Sequence, residues 1–106
     1  MKYTLAALLA LVSSAALADA PEFKISIKDH QFTPASLEIP ANTKVKLIVK
    51  NEDATPEEFE SHELNREKVI PGNSTANIFV GPLAAGEYKF FGEFHEKTAQ
   101  GKLVVK

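Results

Sequence analysis

Along this chain, apolar and polar residues alternate in short runs separated by turn residues. "FKISIK" sets Phe23, Ile25 and Ile27 against lysines and a serine, the period-two pattern of a half-buried strand. "DHQFTP" breaks that run, and "SLEIP" resumes it with Leu37 and Ile39. "AN" turns the chain into "TKVKLIVK", where Val45, Leu47 and Val49 share one face. "NEDATP" is a polar loop ending in proline, "EEFES" is a short strand, and "HELNREK" reads as a helical turn or a loop. "VIPGN" carries a Pro-Gly turn into the strand "STANIFV". "GPLAAG" then connects to "EYKFF", and "GKLVVK" closes the chain. Seven or eight short strands with turn signals between them predict an all-β Greek-key sandwich. No amphipathic helix of ordinary length competes with it.

Residues 1–20, "MKYTLAALLALVSSAALADA", follow a different rule. A lysine at position 2, an apolar run from Leu5 to Val12 and small residues at Ala16, Ala18 and Ala20 form the pattern of a secretory signal peptide. The run is too short to read comfortably as a membrane span. Cleavage is expected to leave a chain starting at Asp19 or Pro21, exported most simply to a bacterial periplasm with no membrane insertion of its own. Residues 21–106 then form one small domain.

Composition narrows the chemistry. The sequence has no cysteine, so an exported domain of this size has neither a disulfide nor a thiolate ligand. Its core must come from aliphatic residues and seven phenylalanines. A net charge of −2 excludes a strongly basic nucleic-acid footprint. "HELNR" lacks the second histidine of the zinc-protease helix motif, and Ser61 beside His62 gives no reason for a nucleophile–base pair.

Acidic residues crowd one stretch: Glu52, Asp53, Glu57, Glu58, Glu60, Glu63 and Glu67 are opposed there only by Arg66. They read as a solvated face, a cation site or a docking surface for a basic partner. Strand parity separates them. If Phe59 faces the core, Glu57 and Ser61 share its side while Glu58 and Glu60 face outward. In the last hairpin Tyr88, Phe90 and Gly92 share a face, and His95 lies just beyond the strand. Glu57 and the 92–100 loop meet at one end if the strands follow the usual Greek-key order.

"NEDATPEEF", "VIPGNST", "AAGEYKFFGEFH" and "GKLVVK", in this order and spacing, resemble the cupredoxin fold over essentially the whole of residues 21–106. The resemblance implies that the blue-copper ligand positions fall on Glu57 for the first histidine, Gly92 for the cysteine, His95 for the second histidine and Gln100 near the methionine. Of these only His95 keeps the family's ligand identity, and Gln100 offers a weak axial oxygen. With glycine in the thiolate position, a blue-copper electron-transfer site is excluded.

More narrowly, "EFESHELNREKVIPG" followed by "GPLAAGEYKFFGEFHEKTAQG" resembles the small periplasmic cupredoxin-like proteins associated with bacterial iron-uptake permeases. That resemblance implies an accessory role in iron supply, with an iron permease or another inner-membrane or periplasmic uptake component as partner. Carboxylate and imidazole donors suit Cu(II), Fe(III), Fe(II) and Zn(II). Glu57, Glu93, His95 and Glu96 are the mixed-shell candidates for a copper or iron ion. His62 joins them if "FESHEL" bends back to the same end, and His30 is a candidate for a second site. The expected function is metal binding. The alternatives are a copper site that oxidises Fe(II), and a non-metal module whose acidic face docks on a permease or periplasmic partner.

Overall fold

In the computed structural model, residues 19–106 are described, so the leader segment lies outside the described residues but for its last two. The strands are β1 (Glu22–Lys28), β2 (Gln31–Thr33), β3 (Ser36–Ile39), β4 (Val45–Asn51), β5 (Glu57–Ser61), β6 (Arg66–Ile70), β7 (Ser74–Val80), β8 (Gly86–Gly92) and β9 (Gln100–Val105). A single 3-10 turn at Glu93–His95 is the only helical element among the described residues.

The strands form two facing sheets, in the orders β2-β1-β4-β7 and β3-β9-β8-β5-β6. Most neighbours are antiparallel, but β1 runs parallel to β4 and β3 parallel to β9. Apolar alternation determines which side of each strand faces inward. In β4 Val45, Leu47 and Val49 are buried, in β1 Ile25 and Ile27, and in β7 Ile78 and Val80. Between the sheets Phe32, Phe59 and Phe90 form an aromatic cluster, with Phe90 centred 4.9 Å from each of the other two rings. Offset and edge-on ring packing of this kind adds to the burial of large apolar area.

The all-β sandwich is as the alternation predicts, but among the described residues it contains nine strands rather than seven or eight. Two segments are the reason. β2 lies inside "DHQFTP", where three residues with one buried side chain, Phe32, are too few to display a period. β6 occupies part of the stretch read as a helical turn or loop. It is an edge strand paired only with β5, and four of its five residues are exposed. A strand that buries almost nothing on either face carries no alternation to read.

Candidate metal centre

One end of the sandwich gathers the β1–β2 turn, the loop at 52–56, the start of β5 and the segment between β8 and β9. Glu57 opens β5 directly after Pro56, and alternation with Phe59 and Ser61 turns it inward. Its side chain is only 2% exposed. A buried carboxylate is costly unless its oxygens are satisfied, and here both are. Oε1 accepts from the backbone N–H of Glu58 at 3.0 Å and of Phe94 at 2.8 Å. Oε2 lies 2.6 Å from Nδ1 of His95. The 3-10 turn after β8 makes this possible, because it presents the Phe94 amide and the His95 ring to the same carboxylate.

Gly92 ends β8 beside Glu57. A Cβ added there would stand 2.6 Å from Cβ of Ala99 and 2.7 Å from Cδ of Glu57. The Glu57 carboxylate therefore fills the space into which any side chain at position 92 would project. The position that the resemblance matches to a cysteine has no room for one while Glu57 stays in place.

His30 completes the arrangement. Its ring stacks on His95 with centroids 3.6 Å apart and planes 14° from parallel. Asp29 and His30 form a two-residue hairpin turn between β1 and β2, and both have positive φ, 53° and 58°. This conformation is uncommon for a side chain other than glycine, though Asp and His adopt it more readily than most. Asp53 holds the turn: Oδ1 accepts from Asp29 N–H at 2.8 Å and Oδ2 from His30 N–H at 3.0 Å. Asp53 is itself fixed by Asn51, which is fully buried; Oδ1 of Asn51 accepts the Asp53 N–H, while its Nδ2 donates to the Thr55 and Ile70 carbonyls. The His30 N–H bond chiefly holds the Asp53 carboxyl below the usual carboxylate range, with Asp29 and the two imidazoles adding to it and partial burial opposing it. From the other side, Thr98 donates its hydroxyl to the His30 carbonyl at 2.7 Å. One donor atom each from His30, Glu57 and His95 lies within 4.8 Å of the others.

The remaining residues singled out from sequence are not part of this donor cluster. His62 is exposed, with its ring 5.6 Å from that of Phe91. Ser61 is buried and bonds the Lys89 carbonyl and the Leu64 amide, so its hydroxyl is engaged by backbone. Gln100 faces outward and donates its amide to the Glu96 carbonyl. Glu96 is likewise exposed. Glu93 joins Glu58 and Glu60 in a separate, solvent-facing carboxylate cluster. There desolvation and repulsion, from Glu67 first among the neighbouring acids, raise the Glu58 and Glu60 carboxyls above their ordinary range. Strand parity identifies Glu57, whereas the close approach of His30 depends on the hairpin. The one local signal for it is the Asp-His pair, a two-residue connection between "FKISIK" and "QFT".

A two-sheet β-sandwich with an imidazole–carboxylate cluster in the loops at one end defines the class: a cupredoxin-type domain whose donor cluster contains no thiolate. The chain belongs to the cupredoxin-like domain family, whose model matches residues 2–105. It is 51% identical over 84 residues to "Uncharacterized protein RP394" of Rickettsia prowazekii (strain Madrid E), a match covering 79% of this chain and 67% of that protein. Among solved structures it resembles auracyanin A, a "blue" copper protein of Chloroflexus aurantiacus, with TM-score 0.70 and 19% identity over 83% of this chain and all (100%) of that one. The metal-binding domain of the Cu(I)-exporting P-type ATPase CopA of Streptococcus pneumoniae D39 gives TM-score 0.71 and 15% identity, covering 80% of this chain and 84% of that one. Amicyanin from Paracoccus versutus gives 0.65 and 17%, covering 87% and 88%. At these identities the structural likeness establishes the fold.

Two outcomes follow from this geometry. Gly92→Ala forces the Glu57 and Ala99 side chains apart, and denaturant unfolding should show a loss of about 1–3 kcal/mol, the usual range for overpacking. A wild-type midpoint in that variant would contradict the close approach. Asp53 is depressed in the folded state, so its contribution is present above the ordinary value of 3.8 and lost as pH falls below it through the folded value. Asp53→Asn, which keeps only one accepting oxygen for two N–H groups, should be less stable than wild type near neutral pH. The gap in thermal midpoint should close as pH is lowered below 3.8.

Proposed function

We propose that this protein binds a copper ion, as Cu(II), at the Glu57–His95 end of the sandwich, and that it serves as an exported accessory protein of iron supply. The observation that carries the metal reading is the buried Glu57 carboxylate, held 2.6 Å from His95 Nδ1 in the space a side chain at position 92 would need. The residues do not fit a blue-copper centre, because the chain has no cysteine. They do fit a thiolate-free one. Carboxylate oxygen and imidazole nitrogen suit Cu(II), and the missing thiolate lowers the preference for Cu(I). The 2.6 Å approach of Glu57 Oε2 to His95 Nδ1 marks a place where a cation would satisfy both groups.

Copper is favoured over iron by the fold's company: auracyanin A is named as a copper protein, and the CopA domain is described with Cu(I) bound. The iron-supply role rests on the resemblance of "EFESHELNREKVIPG" and the final hairpin to permease-associated periplasmic proteins. It implies an iron permease or another uptake component as partner. The periplasmic location rests on the leader pattern of residues 1–20. No helix among the described residues is long and apolar enough to cross a membrane.

Calorimetric titration of metal-free protein with Cu(II) and with Fe(III), followed by EPR, tests the metal reading. The expected result is stoichiometric Cu(II) with the EPR signature of nitrogen and oxygen ligands, no intense thiolate charge-transfer band, and loss of binding in His95→Ala. No binding at micromolar concentrations, or binding untouched by His95→Ala, overturns it.

A further inference from the structure

We infer that His30, on the β1–β2 turn, is a metal donor alongside Glu57 and His95, and that Asp53 is the carboxylate that positions it. The inference rests on the metal reading above and assigns a ligand to a hairpin that the sequence resemblance leaves without one.

The way the structure grips His30 carries the argument. Its backbone N–H is bonded to Asp53, its carbonyl accepts from Thr98, and its ring lies flat on His95. Two loops from opposite sides thus hold one residue in a left-handed conformation, φ 58°. A turn needed only to reverse the chain would ordinarily place Asn-Gly or another glycine pair there, at lower conformational cost. The ring stands 42% exposed, so neither apolar burial nor a hidden polar group explains its placement. What the arrangement achieves is to bring a histidine nitrogen within 4.8 Å of donor atoms on Glu57 and His95.

Asp53 adds the second element. Its Oδ2 lies 3.5 Å from Nδ1 of His30. Histidines that bind metals commonly direct the other ring nitrogen at a carboxylate, which fixes ring orientation and tautomer and raises ligand basicity. With Nδ1 beside Asp53, Nε2 is the nitrogen left for a metal. The stacked planes do not aim both imidazoles at one point, so the stack loosens when an ion binds. Two imidazoles and a carboxylate form a donor set suited to a divalent ion that leaves other positions open. The cluster of Glu58, Glu60 and Glu93 is separate and has no part in this inference.

The test uses His30→Phe, which keeps a flat ring to stack on His95 but has no nitrogen, and His30→Asn, which tolerates the positive φ. Circular dichroism and thermal melts confirm the fold of each. The probe is Cu(II) alone, read by calorimetry and by nitrogen superhyperfine structure in EPR, with histidine labelled by 15N to count coordinated imidazoles. Wild type should show two imidazoles and His30→Phe one, with affinity reduced by more than about tenfold. Asp53→Asn should keep two imidazoles while weakening binding by about tenfold. A single imidazole in wild type, or two in folded His30→Phe, removes His30 from the donor set and leaves the Glu57–His95 site standing. Absence of copper binding by wild type overturns the metal reading itself. If His30→Phe does not fold, the imidazole count in His30→Asn decides by the same criterion.

Discussion

The burial of the Glu57 carboxylate is the constraint on which the rest of this structure depends. Taking a charged carboxylate out of water costs several kcal/mol even after the protein relaxes around it. A small sandwich without disulfides has little stability to spare. The cost is offset only because the backbone amides of Glu58 and Phe94 and the His95 ring reach both oxygens. The 3-10 turn at Glu93–His95, the glycine at 92 and the proline that sets the start of β5 are each arranged around that requirement.

The same carboxylate occupies the space beside Gly92, the position that the resemblance matches to the family's cysteine. A glycine there would otherwise leave a void at one end of the core. Here that space contains the Glu57 carboxylate, with Ala99 closing the other side. The two positions are therefore coupled: a larger residue at 92 requires a smaller or displaced one at 57. Under the proposed metal reading, a hard oxygen donor from Glu57 within reach of His95 moves the preference of the site away from Cu(I).

Much of this end of the molecule is legible in the sequence, and the limit has a physical origin. Period-two alternation turns Glu57 inward with Phe59, and aligns Gly92 with Tyr88 and Phe90, because side-chain direction in a strand follows from parity alone. The exposed edge strand β6 and the three-residue β2 escape that rule, one because it buries so little and the other because it is so short. His62 shows the limit in another form: it lies one residue beyond β5, where parity no longer applies, and its ring rests near Phe91 rather than at the Glu57 end. The approach of His30 to His95 depends on a hairpin turn and on Asp53, which is distant from it in sequence. No local pattern encodes a contact made by three separate loops.

The most direct measurement is a crystal structure of the copper-soaked protein with anomalous data collected at the copper edge. One strong anomalous peak is expected, bounded by the Glu57 carboxylate and the His95 ring. A peak confined to the Glu58–Glu60–Glu93 cluster, with the Glu57–His95 hydrogen bond intact, would contradict it.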